Sequence, residues 1–183
     1  RSPLPISLKT RLGVDDPQEF IRLLDIYNRY PVKLLIVHPR VRKDFYEGPV
    51  QMELFQYALN RSRNPLCYNG NLTTRNQLDA FSKTFPGVSS VMVGRGLIGN
   101  PALLCAQNAA PDTLEQFCDE LLDQYIEAFG GSRNAMFRLK ENWRYLLCLF
   151  RNTEKLGKQL RKTTDIAQYR AITNEIFHTC SMK

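Results

Sequence analysis

Two short polar motifs contain the residue types that bind phosphate in proteins. Asn-Gly-Asn at residues 69–71 follows an apolar run, and so does Gly-Arg-Gly at residues 94–96. Glycine lets the backbone approach a ligand closely, and arginine makes charge-assisted hydrogen bonds to phosphate oxygens. Either motif alone is more simply explained as a turn. Together, at the ends of successive apolar runs, they favour a cofactor that carries phosphate.

Further polar residues follow two other apolar runs. Lys9 and Arg11 are two positions apart, so on an extended strand they point to the same side. Two cations on an inward face need an anionic or electron-rich ligand to offset their desolvation, whereas a strand whose cations face water needs none. Both interpretations stay open from these two residues alone. His38 ends a second apolar run, and Arg40 repeats the cationic spacing.

Short apolar runs alternate with amphipathic segments over the first hundred residues, which predicts four β/α units. The predicted strands are residues 4–8, 32–37, 65–68 and 90–93. Asp16 and Pro17 are predicted to open the first helix, and Thr74 with Gln77 forms a capping box for the third. Four parallel strands are half of a closed (β/α)₈ barrel or a small doubly wound sheet, and periodicity leaves both open.

The pattern changes to helices only from residue 112. Three apolar stripes at helical spacing predict a bundle, and the first stripe ends at Gly130, a natural C-terminal cap. We therefore predict two domains, residues 1–110 and 111–183, joined near Asn108.

The net charge of +7 is concentrated in the last part of the chain. Residues 132–183 contain eleven Lys/Arg and four Asp/Glu, whereas residues 1–131 contain fourteen of each class. This asymmetry predicts a polyanionic partner such as a nucleic acid, although a solvated basic bundle without a partner is also compatible with charge alone.

Cysteine and histidine are too few and too scattered for a metal centre. The five cysteines form no C-x-x-C pair, and the chain has only two histidines. We therefore predict reduced, structural thiols and no metal site. No apolar run reaches the length of a membrane span, so we expect no membrane partner and a cytoplasmic protein.

Five stretches in order resemble the dihydrouridine synthase family. They are LKTRLG at residues 8–13, VHPR at 37–40, FYEGP at 45–49, YNGNLTT at 68–74 and VMVGRGLIGNP at 91–101. The resemblance covers the first 110 residues closely and the remainder by architecture and charge. It implies an α/β plus all-α chain, with the last four β/α units of a TIM (β/α)₈ barrel followed by a helical tRNA-binding bundle.

The resemblance also implies an activity and a set of site residues. The family reduces uridine in tRNA with FMN, which is itself reduced by NADPH. His38 would be catalytic, beside the flavin ring and the entering uracil, and Arg11 and Arg40 would face the target nucleotide. The residues implied to bind FMN are Lys9, His38, Asn69, Gly70, Asn71, Gly94 and Arg95.

The chain departs from the family pattern at several points. None of its cysteines matches the family's proton-donating cysteine, and Pro39 and Asn71 replace a small residue and an aspartate. We therefore expect the chain alone to be inactive. For the missing half of the barrel, the alternatives are that the chain is a truncated or cleaved piece of a longer protein, or that a second chain or second copy completes the barrel. The alternatives are another FMN-dependent barrel oxidoreductase, similar to dihydroorotate dehydrogenase, and a non-catalytic RNA-binding remnant.

Overall fold

The protein divides into two compact units. A computed structural model describes residues 3–105 and 109–183. The first unit is Arg1–Val93 and the second is Gly94–Lys183. This division lies earlier in the chain than the predicted boundary after residue 110. The predicted junction at Asn108 lies outside the described residues.

The first unit is a parallel sheet of four described strands in the order β1-β2-β3-β4. The strands are β1 (Ser7–Arg11), β2 (Leu34–His38), β3 (Leu66–Asn69) and β4 (Ser90–Met92). The helices between them are α1 (Glu19–Tyr27), α2 (Met52–Arg61) and α3 (Arg75–Thr84). The predicted alternation of strands and helices is therefore confirmed.

Several predicted boundaries in the first unit were wrong by one to three residues, including those of β1 and the first helix. β1 begins at Ser7 and continues to Arg11, because it pairs with β2 along its whole length. The first helix begins at Glu19 rather than at Pro17. The Glu19 carboxylate accepts hydrogen bonds from the backbone N–H groups of Asp15 and Asp16, so the polar segment before the helix is a turn.

Aromatic side chains on one face of the sheet form much of the first unit's core. The rings of Tyr68 and Phe81 stack with centroids 4.3 Å apart, and Phe55 meets Tyr68 edge-on at 4.9 Å. Leu35 and Val37 of β2 are 0% exposed. The predicted capping box holds α3 in place, since Thr74 accepts a hydrogen bond from the Gln77 backbone N–H. α2 and α3 therefore cover the sheet face that carries Tyr68.

The second unit is helical in its described residues. Its helices are α4 (Arg95–Gly99), α5 (Pro111–Phe129), α6 (Ser132–Leu146), α7 (Glu154–Lys162) and α8 (Ile166–Thr179). The predicted cap at Gly130 is confirmed, with φ of 64°. Helix α7 forms because Leu156 and Leu160 bury one side of it. None of the described helices has both the length and the apolar character needed to cross a membrane.

A neutral hydrogen bond lies in the core of the second unit. The Trp143 indole Nε1–H donates to the Tyr169 hydroxyl at 2.8 Å, and both side chains are buried. Burial raises the pKa of Tyr169 and raises the pKa of nearby Cys118 to about 12. Both groups therefore stay uncharged at neutral pH.

Candidate active site at the strand ends

One face of the sheet carries several of the predicted site residues. Residues paired across adjacent parallel strands project to the same face, and side chains alternate along each strand. Lys9 pairs with Ile36, and Arg11 pairs with His38. Ile36 also pairs with Cys67 of β3. The face that carries Lys9, Arg11 and His38 therefore continues onto β3.

Asn69 lies on the same face, two residues beyond Cys67. It pairs with Met92 of β4, and its side-chain Nδ2 donates to the Met92 carbonyl oxygen at 2.8 Å. The amide nitrogen is thus used within the sheet, and the amide oxygen is the group suited to a ligand hydroxyl. We call the surface formed by Lys9, Arg11, His38 and Asn69 the site face.

The site face is positively charged at β1. Partial burial lowers the pKa of Lys9, and the neighbouring charge of Arg11 lowers it further. Both effects disfavour the charged ammonium group until an anion lies nearby. This end of the site face therefore suits an anionic or electron-rich ligand, which is one of the two interpretations that the sequence left open.

Arg11 holds the loop that follows β2. Its two terminal nitrogens donate to the carbonyl oxygens of Val41 and Phe45, each at 2.7 Å. Its guanidinium carbon also lies 5.7 Å from the centre of the Tyr46 ring. The predicted contact of Arg11 with a nucleotide stays a prediction, and in this structure the side chain positions the loop.

Arg40 is enclosed by the protein, with 1% of its surface exposed. Its Nε donates to the Gly48 carbonyl oxygen at 2.5 Å. Its Nη1 lies 3.2 Å from His38 Nε2 and 3.2 Å from Asn71 Oδ1. The predicted contact of Arg40 with a nucleotide stays untested, and its observed contacts are with the neighbouring strand end and two loops.

Asn71 has a left-handed backbone conformation, with φ of 31°. Asparagine and aspartate adopt this region more readily than other residues with a side chain. The departure from the family's aspartate therefore keeps the backbone geometry and changes the charge beside Arg40.

Gly70 and Gly94, from the two glycine motifs, differ in whether neighbouring atoms leave room for a side chain. A Cβ added to Gly70 would lie 2.8 Å from the Tyr68 hydroxyl oxygen, so packing within the first unit accounts for Gly70. A Cβ added to Gly94 would meet no heavy atom within 4 Å in the described parts of the chain. Packing within the described residues therefore does not account for Gly94, whose backbone has φ of −117° and ψ of −88°.

Gly94 and Arg95 belong to the second unit. Arg95 is the first residue of α4, and Gly94 directly precedes it. Their predicted role beside the residues of the first unit therefore stays a prediction.

The structure brings in a loop for which the sequence had predicted no role. Phe45 has a positive φ of 46°, which is strained for a bulky residue. The Tyr46 ring lies 6.2 Å from the His38 ring, and Gly48 accepts the hydrogen bond from Arg40. The FYEGP stretch at residues 45–49 was the sequence signal for this loop.

Backbone hydrogen bonds join this loop to the segment after β1. The Leu12 N–H donates to the Arg40 carbonyl oxygen at 3.0 Å, and the Arg42 N–H donates to the Gly13 carbonyl oxygen at 2.9 Å. The two segments therefore continue the β1–β2 contact beyond the ends of the strands.

A family model described as dihydrouridine synthase matches residues 1–182. The chain belongs to the dihydrouridine synthase family. This membership agrees with the five stretches of sequence, four of which contribute residues to the site face or to its loops.

Curated relatives of this dihydrouridine synthase chain come from bacteria and yeast. A Staphylococcus aureus protein named probable tRNA-dihydrouridine synthase is 27% identical over 185 aligned positions, covering 94% of this chain and 54% of the relative. A Rickettsia bellii protein of the same name is 31% identical, covering 70% and 43%. A Saccharomyces cerevisiae tRNA-dihydrouridine(20a/20b) synthase, whose name includes NAD(P)+, is 27% identical, covering 75% and 36%. The chain thus spans about half the length of these relatives or less.

Proposed function

We propose that this chain contributes the FMN-binding face and the RNA-binding helices of a tRNA-dihydrouridine synthase. That enzyme reduces uridine in tRNA to 5,6-dihydrouridine, with NADPH as the reductant. Family membership supports the proposal. The observation that carries it is the shared site face, on which Lys9, His38 and Asn69 project from three adjacent strands.

The strand order supports a partial TIM barrel rather than a doubly wound sheet. The described strands are neighbours in chain order, whereas a doubly wound sheet reverses its order at a switch point. Within the described residues β1 pairs only with β2, and β4 pairs only with β3. Open edges of this kind favour pairing with further strands, and we propose that further strands, from the same protein or from a second chain or copy, complete the barrel.

The residues of the site face fit the parts of FMN. Lys9 would border the ring and stabilise negative charge on it, and the amide oxygen of Asn69 would accept from a ribityl hydroxyl. The proposed phosphate-binding residues are Gly70, Asn71, Gly94 and Arg95. FMN, when bound, supplies the hydride chemistry, and the protein contributes position and electrostatics.

The target uridine would enter beside His38. The base must leave its stacked environment to reach the site face. Arg11 and the loop that it holds border this entrance, since Tyr46 lies near both His38 and Arg11. We propose that Arg40 affects the nucleotide site indirectly, because its side chain is buried and hydrogen-bonds to His38 and Asn71.

The helices of the second unit would bind tRNA through phosphate contacts. On α7, Leu156 and Leu160 face the core, whereas Lys155, Lys158 and Arg161 are exposed. An exposed basic helix face of this kind attracts the phosphate backbone independently of base sequence. We expect tRNA to protect α7 lysines from chemical modification, and we expect added salt to weaken the binding.

FMN titration of the purified 183-residue chain tests the cofactor proposal. We expect the chain to quench flavin fluorescence on binding, and we expect Lys9→Ala to weaken the affinity about tenfold because one charged contact is lost. Lys33→Ala is the matched control, since Lys33 is exposed and precedes β2. Equal weakening by both substitutions, or no flavin binding by the unchanged chain, would contradict the proposed site.

The exposed basic face of α7 favours an RNA-binding module without flavin as a second candidate function. Salt-sensitive tRNA binding by a chain that takes up no FMN would support this module. Flavin binding without tRNA binding would support a different FMN-dependent oxidoreductase. We expect both ligands to bind and expect no dihydrouridine formation by the chain alone, so full turnover by the purified chain would overturn the expected inactivity.

A further inference from the structure

A buried guanidinium group connects three parts of the site face. Arginine is rarely buried unless its donors are paired, yet Arg40 is only 1% exposed. Its hydrogen bonds reach His38 at the end of β2, Gly48 in the next loop and Asn71 after β3. One side chain therefore fixes the relative positions of residues from one strand end and two loops.

The chemistry of arginine decides which proton His38 carries. A guanidinium group has N–H donors and no acceptor, and it remains charged in proteins. Nη1 lies 3.2 Å from His38 Nε2. Nε2 must therefore accept this hydrogen bond, which leaves the ring proton on Nδ1. A proton on Nε2 would direct an N–H group at another N–H group.

The same guanidinium nitrogen also fixes Asn71. Nη1 lies 3.2 Å from Asn71 Oδ1, which must likewise be an acceptor. This contact orients the side-chain amide with its oxygen towards Arg40. It also ties down a residue with a left-handed backbone.

We propose that Arg40 is a positioning residue, which holds His38 as the neutral Nδ1–H tautomer and orients the amide of Asn71. The inference rests on the proposed function, because it concerns how these two residues meet the flavin and the uracil. In this arrangement Nε2 of His38 has no proton to deliver. His38 then acts by contact and hydrogen bonding at the site rather than as a proton donor through Nε2.

The tautomer can be measured in the unchanged chain without any ligand. The chain has only two histidines, so ¹H–¹⁵N correlation spectra of ¹⁵N-histidine-labelled protein contain two ring systems. His178→Gln assigns them, since His178 lies in α8 with its side chain exposed. At pH 7 we expect the His38 spectrum to show a protonated Nδ1 and an unprotonated Nε2. A protonated Nε2 would overturn the proposal.

Substitution of Arg40 tests whether this residue determines the tautomer of His38. Arg40→Met removes every N–H donor and keeps a long unbranched side chain, so we expect a mixture of His38 tautomers and an FMN affinity about tenfold weaker. Arg42→Met is the matched control, because Arg42 is exposed and two residues away. A pure Nδ1–H tautomer in folded Arg40→Met would overturn the role of Arg40. If this variant fails to fold, the spectrum of the unchanged chain still decides the tautomer.

The two measurements separate this inference from the proposed function. If the unchanged chain binds no FMN but His38 shows the Nδ1–H tautomer, the flavin proposal fails and the positioning of His38 stands. If Arg40→Met alters the tautomer while FMN affinity equals that of Arg42→Met, the link between Arg40 and the flavin site is overturned.

Discussion

The two units bury polar side chains in different ways. In the first unit, Arg40 is a permanent charge, and its partners are a strand end and loops. In the second unit, Trp143 and Tyr169 form a neutral hydrogen bond between helices. The neutral pair satisfies two polar groups inside an apolar core, whereas the charged group orients residues at a candidate site. The comparison indicates that the hydrogen bond between Trp143 and Tyr169 mainly stabilises the second unit, whereas Arg40 mainly positions other residues of the first unit.

The contrast predicts different responses to pH. Arg40 keeps its charge throughout the accessible range. Tyr169 and Cys118 are neutral and buried, and burial raises the pKa of each. Alkaline solution should therefore weaken the second unit before it changes the charge on Arg40.

The largest effect is expected from Trp143→Ala. Trp143 is 2% exposed, so truncation leaves a large cavity and an unpaired Tyr169 hydroxyl. We expect the free energy of unfolding of the second unit to fall by about 3 to 5 kcal/mol. Urea denaturation followed by circular dichroism measures the change.

Trp143→Phe is the matched control for this substitution. It keeps most of the apolar ring and removes the N–H donor, so we expect a smaller loss of about 1 to 2 kcal/mol. If the alanine variant lost no more than the phenylalanine variant, packing around Trp143 would not be the main source of stability in this core.

The second effect is a fall in stability at alkaline pH. The pKa of Cys118 rises from 9.0 to about 12 on folding, so the unfolded chain releases this proton first as pH increases. The contribution of Cys118 to the free energy of unfolding is complete below pH 9.0 and is lost between pH 9.0 and about 12. The loss is about 1.4 kcal/mol per pH unit. Trp143 fluorescence during urea denaturation follows it, because Trp143 is the only tryptophan.

Two cysteine variants identify the source of this slope. Cys118→Ala should flatten the dependence on pH, leaving a residual slope from Tyr169. Cys105→Ala should keep the steep dependence, since Cys105 is exposed. Identical slopes in both variants would show that Cys118 is not the group that titrates.

The smallest effect is expected from Asn71→Asp in the first unit. The new carboxylate would face a guanidinium that is already buried, so we expect a gain of about 1 kcal/mol at pH 7. Arg40 would hold the new carboxyl pKa below its ordinary value of about 3.9, so the gain should be lost as pH falls below that value. Asn60→Asp, on the exposed side of α2, is the control. A loss of stability of Asn71→Asp at pH 7 would contradict the expected attraction between the Arg40 guanidinium and a carboxylate at position 71.

Local signals in the sequence were sufficient for the start of α3, for the end of α5 and for the shared side of Lys9 and Arg11. The Thr74 capping box and the Gly130 cap involve residues within one turn, so their patterns are complete in the sequence. Lys9 and Arg11 share a face because side chains alternate along any strand. The same alternation places His38 and Asn69 once the strand register is known.

Features that depend on contacts distant in the sequence were missed. The true extent of β1 follows from its pairing with β2, which no local pattern records. The enclosure of Arg40 depends on the loop that carries Gly48 and on the backbone of Asn71. The sequence therefore predicted a nucleotide contact for Arg40, which stays a prediction, and could not reveal the partners of Arg40 within the protein.

Two backbone hydrogen bonds, from Leu12 to Arg40 and from Arg42 to Gly13, join the loop after β1 to the loop after β2. Moving either loop alone would break the hydrogen bonds between them. The two loops beside His38 should therefore move together or not at all. Amide hydrogens of Leu12 and Arg42 should accordingly exchange with solvent at matched rates, with both slowed together when a ligand fills the face below them.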